Sequence, residues 1–163
     1  MRFCVLDSKP MAKVYQLSSD QTLPINLDEA WDFFSTPSNL EKLTPKDIGF
    51  KIISSSHDKM VEGQIIAYKI KVLPMIWVRW VTEITHVKDR EYFVDDQRDG
   101  PYKMWHHRHT FREVEGGVEM NDEVHYIMPF GIIGRIAHCL FVKKKLENIF
   151  AYRAEALDEV VSC

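Results

Sequence analysis

From Phe50 to Met128 the pattern of apolar and polar positions is strand-like, alternating strictly from Trp105 onward, and beyond Pro129 apolar positions recur at every third and fourth residue. The first pattern is that of strands with one face on a core, the second that of a helix with one apolar stripe. The alternation divides into Phe50–Ser54, Gln64–Val72, Ile76–His86, Glu91–Gln97, Tyr102–Val114 and Val118–Met128, separated by short Gly, Asp and charged segments. Short connections predict an antiparallel meander, and strands this long predict a strongly curved sheet. The spacing of Ile132, Ile136, Cys139, Leu146, Ile149, Phe150, Leu157 and Val160 predicts one long C-terminal helix. Lys143, Lys144 and Lys145 within it read as a solvated face.

Upstream, Ala12–Leu17 alternates as a first strand, leaving residues 1–11 as a short extension. Pro24–Phe34 then reads as a helix, with Asn26 as its cap, acids in the first turn and an apolar stripe of Ala30, Phe33 and Phe34. Pro37–Leu43 predicts a second short helix, stopped before Pro45. One strand, two short helices, a meander and a long helix define an α+β class: a curved antiparallel sheet wrapped around a C-terminal helix. A single domain over 12–160 is expected. A straight helix cannot touch a curved sheet along its whole length, so a ligand cavity is expected between them.

Composition changes this picture little. The chain has 163 residues, 45% of them hydrophobic, enough for one proper core, and a net charge of -3 with both signs interspersed. Nothing global points to nucleic acid, and no apolar run is long enough to span a bilayer. Met1–Pro10 lacks the apolar stretch of a signal peptide, and Cys4, Cys139 and Cys163 have no metal-type spacing. A cytoplasmic location in a reducing compartment is the expectation.

The candidate chemistry lies between Tyr92 and Pro129. Strict alternation puts Trp105, His107, His109 and Phe111 on one side of a strand, and His106, Arg108 and Thr110 on the other. A two-residue turn at Gly116-Gly117 predicts that Phe111 faces Asp122, His109 faces Val124, His107 faces Tyr126 and Trp105 faces Met128. Asp95 and Gln97 share the side of Phe93 and are expected to point where the histidines point. Arg153 interrupts the helical stripe, either as an ion pair clamping helix to sheet or as a ligand contact.

Two histidines at i and i+2 can bind one ion, with Asp122 or Asp95 adding oxygen. No third histidine or cysteine is evident on that face, so no metal and no cofactor are expected. The imidazoles read instead as a hydrogen-bonded polar patch, or as ligand-recognising or acid–base groups. Phosphate-cradling glycine loops, serine nucleophile elbows and zinc-protease motifs are missing from the sequence. The apolar Val72–Trp77 segment reads as a hairpin tip or gate, and Phe130–Gly134 as a hinge at the cavity mouth.

The string Phe93-Val94-Asp95-x-Gln97-x-x-Gly100-Pro101-Tyr102-x-x-Trp105-x-His107-x-His109-x-Phe111, followed by Asp122-x-Val124-x-Tyr126-x-x-Pro129, resembles the SRPBCC (START-like, helix-grip) superfamily. More narrowly it is similar to polyketide cyclase/dehydrase-like and coenzyme Q-binding START-type ligand-binding proteins. The resemblance spans about Ala12 to Val160. It implies a helix-grip fold holding a hydrophobic small molecule, a lipid, quinone or polyketide-like compound, as carrier or sensor. Expected ligand-binding residues are Asp95, Gln97, Trp105, His107, His109, Phe111, Asp122, Tyr126 and Arg153. The alternative is a cyclase or dehydratase in which His107, His109 and Asp122 are the catalytic candidates. A third reading is an interaction protein, and a homodimer is compatible with the apolar tip.

Overall fold

Among the described residues, seven strands form a single antiparallel sheet in the order β1-β7-β6-β5-β4-β3-β2, and a long helix follows them. The structure is a computed structural model that describes residues 13–161 apart from 46, 47 and 74. The expected extension 1–11, Cys4, Cys163, the tip residue Pro74 and the side chain of Val160 lie outside the described residues. The strands are β1 (Val14–Leu23), β2 (Lys51–Ser55), β3 (Ile65–Leu73), β4 (Ile76–Lys88), β5 (Tyr92–Asp99), β6 (Met104–Val114) and β7 (Gly117–Ile127). Helix α1 (Leu27–Phe34) and a 3-10 turn (Pro37–Glu41) follow β1, and α2 (Gly131–Ala137), a π turn (His138–Val142) and α3 (Lys143–Val161) run on continuously after β7. The fold is α+β, a curved antiparallel sheet carrying a long C-terminal helix.

Local chemistry explains the element boundaries. Asn26 caps α1 through a reciprocal pair of bonds: the Glu29 amide donates to Asn26 Oδ1 (2.9 Å) and the Asn26 amide to Glu29 Oε2 (3.1 Å). Strand β1 runs to Leu23, six residues past the predicted end at Leu17. Its second half, Ser18-Ser19-Asp20-Gln21, is too polar for a hydropathy pattern to register as a strand. β1 is an edge strand, where polar side chains are tolerated on both faces. The Gln21 amide donates to the Ala154 carbonyl (3.0 Å) and ties that edge to α3.

The β6–β7 hairpin differs from its predicted register by two residues. Glu115 and Gly116 form the loop, Val114 pairs with Gly117, and His109, His107 and Trp105 face Asp122, Val124 and Tyr126. A slip of two leaves every side chain on its predicted face, because the strand period is two. Gly116 alone takes the positive φ (92°) of the loop, and Gly117 is needed for another reason. A Cβ on Gly117 would stand 1.9 Å from the Leu23 carbonyl oxygen, at a φ of 144° that L-residues avoid. Gly117→Ala is therefore expected to cost roughly 1–3 kcal/mol, read as a lowered urea midpoint. An unchanged midpoint would mean that β1 yields at Leu23.

Ahead of the π turn the helical stripe runs out of phase with its prediction, and after it the predicted Leu146, Phe150 and Leu157 hold. Gly134, His138, Leu146, Phe150 and Leu157 are buried, whereas Ile132 and Ile136 are 72% and 55% exposed. The π turn adds a residue to its turn, so the phase expected for an unbroken α-helix does not carry across it. Gly134 is no free hinge, since its Cα lies so close to the Pro129 carbonyl oxygen that a Cβ would stand 1.9 Å away. Lys145, expected in solvent, instead donates from Nζ to the Lys71 carbonyl (3.1 Å). At the expected hairpin tip Met75 is 89% exposed, with φ 67°.

Two apolar clusters fill the space between sheet and helices. One joins Phe34, Phe93, Phe111, Val118 and Leu157; the other joins Tyr68, Trp80, Trp105, Val124 and Phe150. Along β6 the order Trp105, His107, His109, Phe111 therefore steps from one apolar cluster, across two polar residues, into the other. The polar residues between them position the site.

Candidate functional site

Strand pairing brings the site together. Asp95 on β5 is opposite His107 on β6, and His109 is opposite Asp122 on β7, so alternate positions on adjacent strands converge on the inner face. Their polar atoms form a closed ring. His107 Nε2 donates to Asp122 Oδ1 (3.0 Å), and His109 Nε2 to Asp95 Oδ2 (3.1 Å). His107 Nδ1 lies 3.4 Å from Asp95 Oδ2, and His109 Nδ1 lies 2.6 Å from Asp122 Oδ1. That last approach is out of line with the N–H direction, so it is an ionic contact rather than a formed hydrogen bond. The two imidazoles lie against each other at 3.7 Å between centroids, and Phe93 covers the outer face of His109 at 4.2 Å.

Both histidines and Asp122 are buried, so their protonation is set by one another. Burial alone would raise both carboxyls, but the neighbouring histidines outweigh it. Asp95 is held below, and Asp122 well below, the usual carboxylate range. Burial and the adjacent His109 push His107 down, against the pull of both acids. His109 goes up in spite of burial, because Asp122 and Asp95 both stabilise its cation. Of the two imidazoles, His109 is therefore the one on which a proton is favoured. Arg153, whose Nη1 is 3.7 Å from Asp122 Oδ2, adds its guanidinium to the cluster.

A cavity of about 340 Å³ opens beside this cluster, between the sheet, α3 and the segment from α1 to β2. Asp95, His107, His109 and Arg153 stand on its wall together with Trp105, and Tyr68, Trp80, Tyr102, Ile149 and Phe150 supply apolar surface. Burial raises the Tyr68 and Tyr102 phenols far above their ordinary range, so both stay neutral.

The remaining expected site residues point elsewhere. Asp122 stands behind the histidines, off the cavity wall, where it orients their rings. Gln97 is turned to the β5–β6 loop: its amide donates to the Tyr102 carbonyl (2.7 Å) and its oxygen accepts from the Tyr102 amide (3.2 Å). Phe111 packs against Phe34 and Trp31 of α1. Tyr126 shares the inner face but lies beyond the cavity, its hydroxyl 2.8 Å from His138 Nε2 and its own pKa pushed up to about 12 by burial. Alternation along a strand fixes the face a residue occupies, and not how far along that face the cavity reaches.

His138 is the residue that the sequence did not disclose. It is buried at the start of the π turn, stacks on Tyr15 at 3.7 Å, and is kept toward its neutral form by burial and by Lys13 and Lys143. A lone histidine between exposed apolar residues carries no periodic signal, although it shares the buried side of the helix with Gly134 four residues earlier.

No family model and no curated protein matches the sequence. Solved structures do match. The chain is similar to a protein of unknown function from Staphylococcus aureus (TM-score 0.70, 10% identity, 93% of this chain and 96% of that one). It is also similar to a Chromobacterium violaceum protein (TM-score 0.67, 12% identity, 91% and 99%) and to Ara h 8.0201 (TM-score 0.64, 13% identity, 91% and 98%). The fold is thus of the helix-grip-like α+β type. Among the described residues no helix is long and apolar enough to cross a membrane.

Proposed function

We propose that this chain binds a hydrophobic small molecule in the cavity between sheet and C-terminal helix, as a carrier or sensor. The observation that carries the reading is a cavity of about 340 Å³ with largely aromatic and aliphatic walls and, among its polar residues, the buried cluster of Asp95, His107, His109 and Arg153. That is the composition of a site in which apolar area drives binding and a few polar groups set orientation. Asp95, His107, His109 and Arg153 would hold the polar end of a lipid, quinone or polyketide-like molecule, and Trp105 would flank it. A single ligand-binding domain in the cytoplasm fits this reading.

The alternative, a cyclase or dehydratase, draws support from one specific feature. Asp122 occupies His107 Nε2 and leaves Nδ1 as the only nitrogen of that ring able to take a substrate proton. His107→Ala separates the two readings, because an enzyme loses turnover with affinity kept within about tenfold, whereas a carrier changes in affinity alone.

Native mass spectrometry of the purified protein, with solvent extraction of a denatured sample, is the direct test of the carrier reading. A co-purifying apolar compound is expected. Ile149→Trp, which places an indole in the cavity, is expected to reduce that occupancy at least tenfold while the protein stays folded. Occupancy unchanged by Ile149→Trp would move the ligand out of this cavity and refute the proposal.

A further inference from the structure

We propose that Asp95, His107 and His109 form a site for one divalent transition-metal ion, such as Zn²⁺ or Fe²⁺, at the polar end of the cavity. The inference rests on side-chain geometry and stands whichever molecule fills the apolar part.

One donor atom from each of these three residues lies within 4.8 Å of the other two. Asp95 Oδ2 is 3.4 Å from His107 Nδ1 and 3.1 Å from His109 Nε2. Metal–ligand bonds of about 2.0–2.1 Å set tetrahedrally place neighbouring donors roughly 3.3 Å apart, so both distances fit the edges of a coordination shell. The far side of each ring is already engaged. His107 Nε2 and His109 Nδ1 both face Asp122 Oδ1, at 3.0 and 2.6 Å. A carboxylate behind a ligating histidine is the usual outer layer of a metal site, and Asp122 supplies it by accepting from His107 Nε2 and by ionic contact with His109. Arg153 braces the other oxygen of Asp122 from 3.7 Å.

Donors and acceptors argue the same way. With Nε2 donating to Asp122, a neutral His107 presents at Nδ1 a lone pair, and the facing Asp95 oxygen is a second acceptor. These two acceptors, with His109 Nε2 once its proton is displaced, offer lone pairs to a cation placed between them. A proton can fill that role, and so can a metal ion. The three donors stand on the cavity wall whereas Asp122 does not, so a bound ion would keep coordination positions open toward the cavity. An oxygen donor, water or the polar end of a bound molecule, is the chemistry those positions take.

The sequence argued against metal because the hairpin face offers no third histidine or cysteine. The third ligand comes instead from the neighbouring strand, through the pairing of Asp95 with His107.

The test is titration of chelator-stripped protein with Zn²⁺ by calorimetry and with Co²⁺ by visible absorption, using the metal alone. One equivalent is expected at micromolar concentrations, with tetrahedral or five-coordinate Co²⁺ bands. Asp95→Asn and His109→Gln are each expected to weaken binding at least tenfold, and Asp122→Asn about 10–100-fold. No binding by wild-type protein, or binding undiminished in Asp95→Asn and His109→Gln, would overturn the assignment. Imidazole nitrogen resonances of wild-type protein give a readout that needs no variant. Zn²⁺ should shift His107 Nδ1 and His109 Nε2, and shifts confined to surface histidines would equally overturn the proposal.

Discussion

Replacing Asp122 by alanine is expected to lower the stability of the metal-free protein by about 3–5 kcal/mol, the cost of breaking a buried ion pair from one side. Its side chain is 7% exposed and faces three basic groups, His107, His109 and Arg153. Alanine would leave the Arg153 guanidinium buried without the carboxylate it faces and would withdraw from His109 the stronger of the two acids that favour its cation. The His107 Nε2 donor would lose its acceptor. Asp122→Asn keeps the shape and one acceptor oxygen, so its loss should be smaller. Urea unfolding of the three proteins at neutral pH measures the series. Because the pair is buried, the loss should persist at high salt, where exposed pairs are screened. A loss under 1 kcal/mol for Asp122→Ala would mean that water already reaches the ring, and the account of the site as a dry, ion-paired cluster would fail.

Phe93→Ala is the second large effect, at about 3–5 kcal/mol. Phe93 is 2% exposed and belongs to the apolar cluster beneath α1. It stacks on His109 at 4.2 Å and also borders the cavity. Deleting the ring joins new space to space that already exists, which prevents the neighbours from collapsing onto it. For a chain of this size each kcal/mol moves Tm by roughly 2–4 °C, so thermal unfolding resolves the change easily. Phe93→Leu should retain most of the stability. A cost as large for leucine as for alanine would show that the face of the aromatic ring against His109 matters more than the volume it fills.

Much of this architecture is legible in the sequence, and each departure has a physical reason. The switch from strand to helix period at Pro129 marks the sheet and the helix, and the Asn26 cap sits where its chemistry demands. The polar second half of β1 is invisible to hydropathy because an edge strand is held by backbone pairing to β7. The hairpin register slips by two because Gly117 serves a close approach to Leu23 and not the turn. The face of the site follows from alternation, yet its reach does not. Gln97, Phe111 and Tyr126 occupy the inner side of the sheet or its rim but turn to a loop, to α1 and to the π turn. Asp122 lies on the predicted face, one layer behind the histidines.

The strand order has a consequence for how such a site could diversify. Asp95, His107, His109 and Asp122 all come from β5, β6 and β7, consecutive strands of one uninterrupted meander. Their convergence is written into a single contiguous stretch of chain, whereas most of the apolar wall comes from elsewhere in the sequence, including α3 and the region from α1 to β4. Polar chemistry and ligand shape are thereby encoded in largely separate parts of the gene. Either can change by substitution while the other is preserved, and the two sheet edges, β1 and β2, need take no part in the exchange.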